Sequence, residues 1–479
     1  MKNNKREICR TPKSKSECAS YLIPISKTFE SILMKKYYLI ILLLIVGELS
    51  AQNNENTKIW TLQECVDYAL KYNISIKQSE LDKQNQYQNV INAKGNFLPN
   101  LNASATQNYN FGSAIDVTGS RVSSDFRSNS FGINSSVVLF DGFANVYTLN
   151  QAKLNYEVQN ATVQKMRNDI TLNIVNNYLQ ILFAKEQIKI AQFQVDISKS
   201  EVDRVANLVD VGVRPKGDLL NIKSTLANDE QSLIQAQNSL DIATLRLAQL
   251  LQLKEGTIEI QEVEIKTANA AILANSSTQI YEKAVISFPE IKAAELTIQS
   301  ANKGIRISKA NYLPTLSFNY GLNTTYQHRQ GAIDIFPFSQ QMDNNLGHFF
   351  GFSLNVPIFN RFQFRTNVNR AEINFEKAQY NLESEQLRLR ESIQNSYTDA
   401  TLAAKTYEAA QVSVKAQAEA FNYEQERFKE GTTTPFDFNQ IKNRLFLAQS
   451  QEIRAKYDFV FKTKVLEFYY GIPIVIDDF

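Results

Sequence analysis

The strongest constraint on this 479-residue chain is that most of it is written twice. Ile76-Lys77 and Leu81 recur as Ile291-Lys292 and Leu296, and Phe97-Leu98-Pro99 recurs as Tyr312-Leu313-Pro314, both at an offset of 215. Farther along, Phe131-Gly132 matches Phe350-Gly351, Leu139-Phe140-Asp141 matches Ile358-Phe359-Asn360, Gly212 matches Gly431, and Asp218 matches Asp437, all at an offset of 219. The step from 215 to 219 puts the whole length difference into one loop. Two copies of one supersecondary plan must therefore stand side by side and share a core.

After each Leu-Pro pair the residues alternate with the period of a strand. Leu101, Ala103, Ala105, Tyr109 and Phe111 take one face, and Asn102, Ser104, Thr106, Asn108 and Asn110 the other. A second strand sets Phe131, Ile133, Val137 and Leu139 against Ser130, Gly132, Asn134 and Ser136. The second copy repeats this with Leu316, Phe318, Tyr320 and Leu322, then with Phe350, Phe352, Leu354, Val356 and Ile358. The reading is four strands, at about 100–111, 129–140, 315–326 and 349–359. Their polar faces carry Asn, Ser, Thr and Gly, which suits a water-filled lumen, and their apolar faces suit lipid.

Between the second strand and Gly212 the chain runs from Gly142 to Val209 with no proline and no further glycine. A helix over 142–209 is ~100 Å long. Ile174, Ile181, Ile188, Val195, Val202 and Val209 repeat every seven residues beside Ile170, Asn177, Ala184, Ala191, Ser198 and Val205, a coiled-coil seam. The second copy, over 361–429, places Ile393, Ala400, Tyr407, Val414, Phe421 and Phe428 likewise. Gly212 with Pro215, and Gly431 with Pro435, then turn the chain into return helices over 217–251 and 436–470. Opening helices are read at Thr61 to Phe97 and Gln279 to Asn311. A return helix and an opening helix stacked end to end match one long helix, so the helices predict a cylinder of constant height. The low content of 16 Gly and 10 Pro fits such uninterrupted elements.

Lys35 and Lys36, the apolar run Tyr37 to Val46 and the small-residue exit Leu49-Ser50-Ala51 form a secretory signal, with Met34 as a possible true start. The expected layout is a leader and signal over 1–51, a first repeat over 52–276 that ends in an equatorial segment at 252–276, and a second repeat over 277–479. Without residues 1–51 the chain holds 42 basic and 45 acidic residues, which gives no support to a nucleic-acid partner. Cys65 is then alone, reads as a small buried hydrophobe, and leaves no disulfide framework. His328 and His348 fall in or beside the loop joining the third and fourth strands, with no cluster to make a metal site. No phosphate loop, nucleophile elbow or CxxC occurs, so no cofactor and no enzymatic activity are expected.

Four strands cannot close a barrel; two chains give eight strands with a filled interior, and three give twelve, which leaves room for a pore. From Trp60-Thr61-Leu62 to Gly471-Ile472-Pro473 the chain resembles the TolC-like outer-membrane efflux family. The resemblance rests on strand entries Leu98-Pro99 and Leu313-Pro314, strand exits Leu139-Phe140-Asp141-Gly142 and Val356-Pro357-Ile358-Phe359, and hairpins Gly212 to Asp218 and Gly431 to Asp437. It implies a mainly α fold with a transmembrane β part. In that fold a homotrimer makes a twelve-stranded barrel in outer-membrane lipid, continued by a twelve-helix α-barrel. It further implies a passive exit duct for tripartite efflux or type I secretion. A periplasmic adaptor (membrane fusion) protein would dock at the hairpin tips, Gly212, Val213, Arg214 and Pro215 and Gly431, Thr432, Thr433 and Pro435, under an inner-membrane pump of RND or ABC type. Asp437 falls where the family narrows its periplasmic entrance with acidic rings, and Gln440 stands at the next such position. Asp218 matches the aspartate of the family prototype's closed lock, but that aspartate's tyrosine and arginine partners read Phe428 and Thr433 here. Both aspartates also suit the positive end of a helix. An envelope coiled-coil structural or adhesive protein and a passive solute porin remain as alternatives.

Overall fold

The computed structural model describes residues 58–472, apart from 116, 124, 255–257, 264–269 and 330–335. The leader, the signal, the last residues of the chain and parts of the equatorial segment lie outside the described residues. The rest forms one compact unit from Ile59.

A short strand β1 (Ile59–Trp60) leads into α1 (Leu62–Tyr72), which is entered through a capping box between Thr61 and Glu64. Next comes α2 (Ile74–Gly95). The single opening helix read from the sequence is thus two. Asn73 leaves helical geometry at ψ 129°, and its side-chain oxygen accepts from the backbone N–H of Ser75 at 2.9 Å, so it caps the second helix. The second copy breaks at the same place for another reason. α5 (Ser277–Ser287) stops before Pro289, which holds Phe288 extended and opens α6 (Pro289–Ala310). In each copy the two pieces have 11 and 22 residues.

The main sheet runs in the order β2 (Asn102–Asn110), β5 (Phe126–Phe140), β7 (Thr315–Arg329), β8 (Gly347–Asn355), with every pair antiparallel. A small hairpin, β3 (Ser113–Ile115) and β4 (Arg121–Ser123), sits between β2 and β5, and α7 (Phe338–Asn344) precedes β8. The register lines up Ala103, Ile133 and Leu322 in one row and Val137, Phe318 and Phe352 in another. Asn102, Asn134 and Gly321 form a row on the opposite face. Leu139, which alternation put on the apolar face, instead stands at a bulge between Val138 and Phe140, and Phe140 faces Leu316 in its place. Val356 and Ile358 lie beyond β8, which ends before Pro357. His328 lies at the end of β7 and His348 at the start of β8, so both sit in strand ends beside the loop.

The long helices are α3 (Ala144–Asp210) and α8 (Gln363–Lys429), each of 67 residues or ~100 Å. Each starts after a left-handed residue, Phe143 or Phe362. Their return partners, α4 (Lys216–Leu251) and α9 (Pro435–Tyr470), have 36 residues each. Near the sheet the helices stand side by side as α2, α3, α6, α8, and toward the hairpins as α4, α3, α9, α8. The result is a wall four helices wide along its whole length. A parallel pairing of β1 with β6 (Glu259–Ile260) lies against α3 at mid-height, and a short 3-10 turn at Ala270–Ala274 packs on α8 and α9.

The largest core lies at this mid-height. Ile174, Tyr178 and Ile181 of α3 pack there on Leu62 and Cys65 of α1 and Leu247 of α4, and Cys65 is fully buried. The second copy builds its own core from Ile280, Ile291, Ile393 and Leu466. No helix among the described residues is long and apolar enough to cross a membrane.

Candidate functional site

The two hairpins end in one backbone shape. Gly212 and Gly431 both have φ +75°, a conformation that costs a residue with a Cβ ~1–2 kcal/mol. The next amide then bonds back to the helix end: Val213 N–H to Leu208 O at 2.9 Å, and Thr432 N–H to Arg427 O at 2.9 Å. The tips differ in side chains. The first exposes Val211, Val213 and Leu220, with Pro215 at the helix entrance; the second exposes Thr432 and Phe436, while Thr433 and Pro435 are buried.

The aspartates hold different positions. Asp218, in the first turn of α4, pairs with Arg214 at 3.3 Å. Asp437, in the first turn of α9, is exposed; its backbone N–H donates to the Thr434 hydroxyl at 3.1 Å, and that hydroxyl donates to its carboxylate at 2.7 Å. Gln440 is exposed one turn farther on. Both carboxylates lie in the first turn of their helix, where the helix dipole favours a negative charge.

Among the described residues Asp218 makes no ion pair or hydrogen bond to the second hairpin; two arginines of the first hairpin span the gap instead. Arg204 donates to the carbonyl oxygen of Phe428 at 3.1 Å, and its guanidinium lies 4.3 Å from the centre of the Phe428 ring. Arg214 donates to the carbonyl oxygen of Thr433 at 3.4 Å. Phe428 is itself fixed by stacking on Phe438, with ring centres 4.5 Å apart and planes 9° from parallel. The Thr433 hydroxyl donates to the buried Glu424. Phe428 and Thr433 thus do join the hairpins, but as acceptors in backbone and ring rather than as a tyrosine and an arginine reaching for Asp218. Glu201 pairs with Arg204 at 3.1 Å, and burial pushes its carboxyl above the usual range, against the pull of that arginine.

A second tie lies up the wall from the tips. Lys442 of α9 and Asp229 of α4 meet at 2.7 Å with side chains 3% and 6% exposed. Ser198 of α3 stands between them, accepting from the Lys442 ammonium at 2.5 Å and donating to Asp229 at 2.5 Å. Gln194 donates to the other carboxylate oxygen at 2.7 Å. Three helices from both repeats therefore converge on one buried ion pair. Sequence reading missed it, although a signal was there: Asp229 is the one charged member of the seven-residue stripe Ile222, Asp229, Ala236, Ala243. Among the described residues no three His, Cys, Asp or Glu come together as a metal site.

Comparison with known proteins matches this frame. The family model described as outer membrane efflux protein matches residues 65–252 and 280–469, one segment in each repeat. The outer membrane protein TolC of Escherichia coli (strain K12) is 23% identical over 409 residues, covering 83% of this chain and 80% of that protein. Among solved structures, CusC superposes with a TM-score of 0.73 at 17% identity, covering 85% of this chain and 91% of that one. VceC of Vibrio cholerae superposes with a TM-score of 0.70 at 15% identity, covering 86% and 96%.

Proposed function

The chain belongs to the outer membrane efflux protein family, and from that premise we propose that three copies close into one continuous duct, the exit of a tripartite efflux or type I secretion machine. It is an outer-membrane protein whose helices extend through the periplasm. The observation that carries the trimer is the unfinished wall. β2 and β8 each have nine residues and one partner in the main sheet, and they run in opposite directions. Laid against the β8 of a neighbouring copy, β2 continues the antiparallel pattern, and nine residues is the length of a transmembrane strand. Three sheets of four give twelve strands, enough for an open pore. The helix wall has the same two free flanks, α2 with α4 on one side and α8 on the other.

In the trimer the hairpin tips form the periplasmic entrance. Three exposed Asp437 carboxylates near the axis repel one another and draw cations, with Gln440 uncharged behind them. The exposed Val211 and Val213 of one tip and Phe436 of the other offer apolar purchase to a periplasmic adaptor, which connects the duct to an inner-membrane pump. The test is reconstitution of the full chain in planar bilayers. A heat-labile trimer that conducts ions, with weaker block by multivalent cations in Asp437→Ala, supports the reading. A non-conducting periplasmic fibre overturns it and favours the structural coiled coil. Conduction with efflux unaffected by disruption of the Gly212 and Gly431 hairpins favours the porin.

A further inference from the structure

Toward the sheet from the Lys442–Asp229 bridge, α4 and α9 separate and leave a groove over α3 with a volume of about 690 Å³. Its direction can be read from α3. Lys185 and Lys189 reach the mid-height strand segment, at 3.3 Å from Ile260 O and 3.2 Å from Glu262. At 3.6 residues per turn, Phe183 and Gln187 lie about half a turn away, on the opposite face, and they line the groove. The groove thus opens on the side away from β1 and β6. That this side looks into a tunnel rests on the trimeric channel proposed above.

The lining is chemically specific. Phe183 and Tyr457 meet edge to face at 6.2 Å, and Phe446 and Phe461 extend the apolar wall. Arg246 of α4 and Arg454 of α9 line the groove from its two sides; both are exposed, and neither forms an ion pair among the described residues. One carboxylate, Asp458, also lines it, so two guanidinium groups outweigh one acid. The size falls within the range of small-molecule sites, and an apolar lining with a few convergent polar groups is their usual composition.

We propose that this groove is a wall site for amphipathic organic anions. A flat apolar body lies on Phe183, Tyr457 and Phe446, and a sulfonate or carboxylate head is held by Arg246 and Arg454, whose planar donors match either oxyanion. Asp458 opposes the head and limits affinity, as suits a conduit that must also release what it holds.

The test uses the full chain in lipid nanodiscs with a photoactivatable azidonaphthalene sulfonate and its uncharged sulfonamide analogue, followed by mass mapping of the labelled peptides. The sulfonate labels peptides spanning residues 176–191 and 446–461 several-fold more than the sulfonamide does. In R246Q/R454Q that labelling falls at least about fivefold, whereas in Asp458→Asn it holds or rises. Both arginines are exposed, so the variants keep the fold. Labelling confined to the lipid-facing strands, or unchanged in R246Q/R454Q, overturns the site. Bilayer conductance of the same preparation reports on the channel separately, so loss of groove labelling with conductance intact refutes the site alone.

Discussion

Replacing Lys442 by methionine tests how the two repeats are held together. The substitution keeps most of the length of the side chain and removes its charge, leaving the Asp229 carboxylate in a place where it was 6% exposed. Ser198 and Gln194 still donate to it, at 2.5 and 2.7 Å, but neither carries a compensating charge. Removing one partner of a buried pair costs about 3–5 kcal/mol, and the two surviving donors place this case at the lower end, near 3 kcal/mol. Asp229→Leu strands the ammonium in the same way. The double variant Lys442→Met with Asp229→Leu abolishes both desolvation penalties and ends within about 1 kcal/mol of the parent. Hydrogen exchange read on peptides covering 225–233 and 438–446 separates these outcomes. Each single variant should exchange about a hundredfold faster there, because 1.4 kcal/mol is a factor of ten, and the double variant should be within about tenfold of the parent. Exchange within threefold of the parent in both single variants, or a double variant as labile as either, would show that the pair does not bear on how α4, α3 and α9 are joined.

Other outcomes follow from single contacts. In Arg204→Ala the second hairpin loses a charge-assisted bond and a cation–ring contact, together about 2 kcal/mol; spin labels at Val213 and Thr432 should then report a broader separation between the tips. Glu201 has a raised pKa through burial, so its native state holds the proton more tightly than the unfolded chain does. Its contribution is complete below the ordinary glutamate pKa and is lost as pH rises through the folded value; Glu201→Gln should therefore match the parent at pH 4 and gain on it toward pH 7 in thermal melts. Gly321→Ala puts a Cβ 2.6 Å from Cζ of Phe349 and 2.8 Å from Oδ1 of Asn134, an overlap worth about 1–3 kcal/mol; the sheet should become more heat-labile on gels while the helical signal persists.

What could be read from residues alone was whatever repeats locally. Alternation of Asn and Ser with Leu and Phe marks a strand, and a seven-residue return of Ile and Val with no proline marks a long helix, because each pattern depends on neighbours within a few residues. The duplication then supplied the plan twice over, and its weak motifs pointed to the family. The break at Phe288 had a local signal that the continuous helix read over Gln279 to Asn311 passed over, since Pro289 disfavours helix at the residue before it, whereas that at Asn73 depended on which of several asparagines turned its side chain back to cap. The bulge at Leu139 escaped the alternation because one added residue leaves no trace in composition.

Only the tertiary structure could decide how the hairpins are tied. Lys442 and Asp229 are 213 positions apart, and Arg204 meets a carbonyl and a ring 224 positions away. A backbone oxygen is present at every residue, and an arginine on a helix reads as solvated unless its neighbour is known. The residue types of the family's lock could be looked for and were missing; the contacts that do join the hairpins use acceptors with no signature in sequence. Periodicity sets which face of a helix is buried, but which face meets which is settled by packing, and there the cost of an unpaired buried charge selects one arrangement.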